Sequence, residues 1–246
     1  MAAILYTHIA LITGANQGIG FETAKKLATE HDDYHVILTG RRKDTIDDAV
    51  AKLHELGLKN VEAVVMDVRS DESIAAAVKY VDEKHGRLDV LINNAGIAST
   101  DGTASREAWS AIYDTNVVSV GVVTDSFIPL LKKSQVTKRV VNLSSTLSSV
   151  QMKLDPNDFV HKVEYAPYSV TKSALNLLTA HYVARYMEDP TWKINLTCPG
   201  FCATNLNNYQ GYEDPSLGAV NSVRLATLGP DGPTGTFTNR AGVVNW

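Results

Sequence analysis

The sequence predicts an α/β fold: a doubly wound parallel sheet with helices on both faces, formed as one domain over residues 1–246. Short apolar runs alternate with amphipathic stretches along the chain. The runs are apolar throughout, as in "VILTG" and "RVVNLSS", which suits strands covered on both faces. No Pro/Gly/Ser-rich linker and no internal repeat divides the chain, so the β-α units join one sheet through right-handed crossovers.

The first strand is expected over 8–13, closed by Gly14, and residues 19–29 follow with apolar positions at helical spacing. A strand over 34–39 ends at Gly40 and leads to a helix over 44–56, closed by Gly57. The next pair is a strand over 61–66 and a helix over 71–84, with Asp44 and Asp71 where the two helices should start. A strand over 90–93 runs to Gly96, and residues 116–131 again show helical spacing. Strands over 139–144 and 193–197 complete the pattern.

Composition excludes several classes of function. With 44% hydrophobic and 20% charged residues in 26.7 kDa, the chain has enough apolar surface for a full core. The net charge is −4 and the pI about 6.0, and the longest basic run is Arg41-Arg42-Lys43, so neither nucleic acid nor a membrane surface is an expected partner. No uncharged apolar run approaches the roughly 18 residues that span a bilayer. The opening "MAAILYTHIALITG" has no basic leader or cleavage site; it reads as a lead into the first strand, and the expected compartment is the cytosol. Cys198 and Cys202 cannot build a disulfide framework, and the seven histidines show no HExxH-like spacing, so no metal is expected. Two glycosylation sequons, at Asn142 and Asn195, fall inside predicted buried strands.

The strongest local signal follows the first strand: Thr13-Gly14-Ala-Asn-Gln-Gly18-Ile19-Gly20, then "FETAKKLA". A glycine turn between strand and helix lets backbone N–H groups approach a pyrophosphate, whose charge the helix N-terminus stabilises. Nucleotide preference is read at the end of the second strand, where a carboxylate would bind a ribose 2′-hydroxyl. Here the chain has Thr39-Gly40-Arg41-Arg42, with no carboxylate. Gly40 leaves room and Arg41 suits a 2′-phosphate, which favours NADP(H) over NAD(H).

Four further stretches join that turn: Asn93-Asn94-Ala95-Gly96, Asn116 in "TNVVSV", Ser144-Ser145, and Tyr168-Ser-Val-Thr-Lys172. In order and spacing the five resemble the short-chain dehydrogenase/reductase family over nearly the whole chain. The carbonyl-reductase branch is the most similar, because "TCPGFCATN" and "GPDGPTGTF" match its style. The resemblance implies about seven parallel strands, a bound NADP(H) and a set of site residues. Gly14, Asn16, Gln17, Gly18, Ile19 and Gly20 would line the phosphates and adenine ribose, and Asp67 and Val68 the adenine. Asn94, Ala95 and Gly96 would flank a ribose, while Pro199, Gly200, Cys202 and Thr204 would hold the nicotinamide end. Asn116, Ser145, Tyr168 and Lys172 would be the catalytic group, with Asn116 holding a water next to Lys172. Ser145 is preferred to Ser144 because it matches the family's serine, and strand alternation turns only one of the two to the cleft.

Physical chemistry gives these side chains matching roles. Tyr168 and Lys172 are four residues apart, so a helix puts both on one face. Bringing a phenol from near 10 to about 7 needs roughly 4 kcal/mol, which an ammonium and an oxidised nicotinamide are expected to supply. In reduction, Tyr168 would protonate the carbonyl oxygen while Ser145 donates a hydrogen bond to it. Tyr165 precedes Pro167, so it falls ahead of the helix and would line or support the substrate cleft.

Twenty-two residues separate Ser145 from Tyr168, more than in the shorter members of the family. The extra segment, 150–165, is expected to wall the cleft, and it leaves monomer and homo-oligomer both open. Residues 201–222, rich in amides, glycine and tyrosine, read as a substrate lid. Tyr209 and Tyr212 are either substrate contacts or structural aromatics, and Cys202 is expected to pack more than to react. The expected function is NADPH-dependent reduction of a ketone or aldehyde. The alternative is a non-catalytic, NADP(H)-sensing regulatory protein on the same fold.

Overall fold

The computed structural model describes residues 6–98 and 105–246; the residues ahead of Tyr6, read above as a lead into the first strand, lie outside these. Eight strands form one sheet: β1 (His8–Ile12), β2 (Tyr34–Gly40), β3 (Val61–Val65), β4 (Val90–Asn93), β5 (Lys138–Leu143), β6 (Trp192–Thr197), β7 (Phe237–Asn239) and β8 (Gly242–Val243). Their order is β3-β2-β1-β4-β5-β6-β7-β8. Every neighbouring pair is parallel except the two-residue β8 against β7. β2 and β6 are buried at every position, as strands covered on both faces are, and in β6 this takes in the polar Lys193, Asn195 and Thr197.

The helices are α1 (Gly18–Glu30), α2 (Lys43–Glu55), α3 (Asp71–His85), α4 (Arg106–Tyr113), α5 (Ser119–Lys132), α6 (Val150–Leu154), α7 (Ala166–Tyr186) and α8 (Pro215–Ala226). They cover both faces. Ile12, Leu38 and Val141 enter one core with Leu27 of α1, Leu53 of α2 and Leu225 of α8. Their sequence neighbours Leu11, Ile37 and Val140 enter the other with Val81 of α3, Phe127 of α5 and Tyr182 of α7. That alternation is the two-residue strand period, with apolar cover on each side.

Strand order reverses at β1, which has β2 on one side and β4 on the other. The two halves splay there, and the loops past the carboxyl ends of β1 and β4 face a crevice. Among the described residues no helix is long and apolar enough to cross a membrane. The sequon residues Asn142 and Asn195 are fully buried; Asn142 donates to Thr179 (2.8 Å) and Asn195 to the Pro233 carbonyl (2.9 Å).

The structure differs from the sequence reading in several places. α2 starts at Lys43, one residue ahead of Asp44, whereas α3 starts at Asp71 as expected, with Ser70 as its cap: the Ser70 hydroxyl accepts from the Ser73 N–H at 3.2 Å, and Asp71 places its charge in the positive first turn. The helix expected over 116–131 is the second half of a longer rod. α4 passes into α5 through a wide π-helical turn, Asp114–Val118. The stretch 201–222 is not irregular throughout. Asp214 caps a helix by accepting from Ser216 N–H at 2.9 Å, and Pro215 opens α8, so only 201–214 remain outside regular helix and strand, apart from a short turn at Asn205–Asn207. The helix packs tightly: a Cβ on Gly218 would lie 2.8 Å from Cys202 Sγ and 3.1 Å from Ile19. The segment 150–165 contains α6 and a short 3-10 turn, Phe159–Lys162.

Candidate active site

The glycine turn between β1 and α1 needs its glycines for two reasons. Gly14 and Gly18 have φ of +63° and +59°, the left-handed region that side chains disfavour. Gly20 has no room for a side chain, since a Cβ would sit 2.4 Å from Asn94 Nδ2 and 2.6 Å from the Gly14 carbonyl. α1 begins with no side-chain cap and no acidic residue in its first turn. Its N–H groups are therefore uncompensated donors facing the crevice.

The loop after β4 is tied to this turn. Thr13 Oγ1 accepts from the N–H groups of Asn94 (3.0 Å) and Ala95 (2.9 Å). Asn94 Nδ2 donates to the carbonyls of Thr13 (2.7 Å) and Gly14 (3.0 Å). Asn94 thus clamps the turn with its side chain. Thr13 does so too, and the sequence reading gave it no role although it stands directly before Gly14.

Around the rim, Asn16 lies against Gly40, 3.5 Å from where a Cβ would be, and Thr204 packs over Gly18 at 3.3 Å. Arg41 is exposed beside Gly40 and forms no ion pair among the described residues. Gln17 is exposed and Ile19 half-buried at the same edge. Asp67 accepts from the Arg69 N–H at 3.0 Å, shaping the turn after β3, and Val68 packs into the second core. Pro199 and Gly200 follow β6, Gly200 with φ +89°. Cys202 is buried with its thiol 3.4 Å from the Pro199 carbonyl. Burial and the charge of Glu213 push that thiol up to about 11, so it stays protonated and packs.

The four catalytic candidates come from three places, the π-helical turn, the end of β5 and α7, and meet at the end of β5. The π-helical turn aims the fully buried Asn116 inward, a known use of such turns. Its Oδ1 accepts from the Ile97 N–H (2.9 Å) and its Nδ2 donates to the Ile97 carbonyl (2.9 Å) and Thr171 Oγ1 (3.2 Å). The amide is committed to the β4 loop and to α7, so Asn116 positions those elements. Ser144 turns away from the cleft and donates to Asn176 Oδ1 at 2.6 Å. Ser145 is half-buried, accepts from the Leu147 N–H at 3.2 Å, and its hydroxyl is close enough to the Tyr168 phenol to favour that group's ionised form.

α7 begins at Ala166 with Tyr165 just outside it, the two tyrosine rings stacked 5.6 Å apart. Lys172, 5% exposed, donates from Nζ to the Leu143 carbonyl at 2.7 Å and sits 5.5 Å from the Tyr168 ring centre. Gly96 lets the β4 loop close over both: a Cβ there would lie 3.3 Å from Asn116 Oδ1 and 3.7 Å from Lys172 Nζ. No sequence signal marks the Leu143 carbonyl, because any residue supplies one.

Electrostatics define the protein's own contribution, to which the charge of an oxidised nicotinamide would be added. The protein's own groups hold the Tyr168 phenol well above its usual 10, chiefly by burial, with the nearby Cys198 and Tyr165 adding to it and Ser145 opposing. Burial also lowers Lys172 to about 8. Removing the ammonium from water weakens the charge meant to favour phenolate. The pair therefore rests as a protonated phenol beside a marginally held ammonium, the state of a proton donor.

Comparison with known proteins agrees with this geometry. A family model described as short chain dehydrogenase matches residues 8–214. The "Short-chain dehydrogenase anuI" of Penicillium roqueforti is 39% identical over 226 residues, covering 90% of this chain and 89% of that protein. "Carbonyl reductase [NADPH] 1" of Bos taurus is 30% identical and covers 97% and 98%. The crystal structure of NADPH-bound carbonyl reductase from chicken fatty liver superposes with a TM-score of 0.81 at 28% identity, covering 98% of this chain and 99% of that one.

Proposed function

We propose that this chain, which belongs to the short-chain dehydrogenase family of oxidoreductases, reduces the carbonyl group of a ketone or aldehyde with NADPH. The observation that carries the reading is the meeting of Ser145, Tyr168 and the buried Lys172 beside the glycine-turn crevice. NADPH bound along that crevice supplies the hydride. Donors fit such a ligand: the uncapped start of α1 for the pyrophosphate, and the exposed Arg41 for a 2′-phosphate at a strand end, Thr39-Gly40-Arg41-Arg42, that carries no carboxylate.

The remaining steps belong to the protein. Tyr168 gives its hydroxyl proton to the carbonyl oxygen, and its high affinity for that proton keeps it loaded at neutral pH. Ser145 donates a hydrogen bond to the same oxygen as negative charge builds. Lys172 stabilises the phenolate left behind, and solvent returns the proton. Asn116 and Thr171 fix the start of α7 so that the phenol keeps its direction: Thr171 Oγ1 donates to the Tyr168 carbonyl at 2.7 Å.

Substrate is admitted, on this reading, between segments 150–165 and 201–214. The first is stiffened by Lys153, whose Nζ donates to the carbonyls of His161 (3.1 Å) and Val163 (2.8 Å). With Tyr165 and the start of α7 it lines a hollow of about 250 Å³. The test is cofactor consumption against small aldehydes, diketones, quinones and bulky cyclic ketones, with NADPH and NADH compared. Oxidation of NADPH in preference to NADH with at least one of these is expected. Binding of NADPH without turnover on any would overturn the enzymatic reading in favour of a sensor.

A further inference from the structure

At the opposite, amino-terminal end of the sheet three ligand-type side chains converge. Ile37 of β2 is in register with Glu62 of β3, so His35 lies diagonally across from Glu62 on the same face. α3 covers this face, and its last residue, His85, follows the buried Val81 by one turn and so points at the same spot. Glu62 Oε1 is 3.1 Å from His35 Nε2 and 2.6 Å from His85 Nε2. The three ligand atoms all lie within 4.8 Å of one another.

We propose that His35, Glu62 and His85 bind one divalent transition-metal ion, zinc by ligand type. Two imidazoles and one carboxylate are a known zinc set, with water completing four-coordination. His35 supplies the second observation. It is 91% buried, at 9% exposure, yet among the described residues its Nδ1 has no partner, and its Nε2 faces Glu62 Oε1 at 3.1 Å without the geometry of a hydrogen bond. A buried nitrogen without a partner is costly, and a metal bond would satisfy it. The neighbours orient the set. Glu62 Oε2 is occupied by the Lys84 ammonium and by Tyr80, which donates at 3.0 Å, leaving Oε1 as a single ligand toward the imidazoles. Tyr6 shields the far side of His35, with ring centres 4.9 Å apart. No sequence spacing announces such a site, because each ligand comes from a different element. An ion there would staple the edge strand β3 and its neighbour β2 to the end of α3, stabilising the native chain by mass action.

The test uses the full chain, free of any tag and stripped with a chelator. Titration with Zn²⁺ should give one ion per chain and a rise in Tm that the chelator reverses, and Co²⁺ should give the visible absorption of a four-coordinate site. Binding should weaken as pH falls, because each imidazole must shed its proton. His35→Gln and His85→Gln should each weaken binding roughly 100-fold or more, the upper range for losing supporting groups alone. A measurement without substitution protects against misfolding of a variant: Zn²⁺ should shift the imidazole NMR signals of two of the seven histidines. No binding, binding undiminished in the two variants, or movement confined to other histidines would overturn the proposal.

Discussion

The two ends of the sheet treat buried ionisable groups in opposite ways. At the amino-terminal end Asp89 is wholly buried and fully partnered. It accepts from the Ile9 N–H (2.7 Å), from Ser134 Oγ (2.5 Å) and from Arg87 Nε (3.0 Å). Glu62 resembles it: burial would raise its carboxyl, but the facing His35 and the bonds to His85 and Lys84 hold it far below the ordinary range. At the carboxyl-terminal end Lys172 is also buried, yet it donates to the neutral carbonyl of Leu143, and burial dominates its titration. Saturated charges hold a fold together, whereas a charge left short of partners keeps its proton negotiable, which chemistry requires.

Substitutions at the two ends should break this symmetry in different currencies. Tyr168→Phe is expected to cost the most function, roughly 10²–10⁴-fold in kcat, with NADPH binding retained in a fluorescence titration. Its control, Tyr165→Phe, should keep most of kcat; equal losses would end the assignment of Tyr168 as the donor. Asp89→Ala should leave the catalytic residues in place but cost about 3–5 kcal/mol in urea unfolding, because Arg87 and the Ile9 N–H lose a buried partner. Arg41→Ala is a smaller change at the crevice rim. Loss of one charge-assisted bond, about 1.5–3 kcal/mol, should raise KM for NADPH roughly 10–100-fold and leave KM for NADH nearly unchanged.

The finest test uses pH. Lys172 is lowered in the folded chain to about 8 from an unfolded 10.5. Between those values the unfolded chain binds more protons, so this residue favours folding more as pH rises. Its burial penalty is fully present below about 8 and gone above about 10.5. Lys172→Met removes the penalty, so its stability relative to the unsubstituted chain should decline from about pH 7 to about pH 10, a shift read from urea midpoints. A pH-independent difference would show that Lys172 holds its proton in the core as firmly as in the unfolded chain, with no lowering by burial. An equivalent profile for Asp89→Ala in this range would erase the contrast between the two ends.

Much of the site was legible because it is local. Tyr168 and Lys172 share a helix face by spacing alone, and Gly14 to Gly20 follow a strand in consecutive sequence. What escaped was either short or distant. α8 hides behind an amide-rich loop, although Asp214-Pro215 is a recognisable start. β7 is three residues in a glycine- and proline-rich tail and pairs only because β6 offers an edge.

By itself the sequence determined the strand–helix alternation, the glycine turn and the placing of the proposed acid–base pair on one helix face, since each depends on residues within a few turns of one another. The tertiary structure alone decided the proton affinities and the distant meetings. Tyr168 is raised and Lys172 lowered because the sheet and α7 exclude water from both. His35, Glu62 and His85 meet because parallel register and one helix bring them to a single spot. Desolvation and long-range register are properties of packed elements, and no window of sequence contains them.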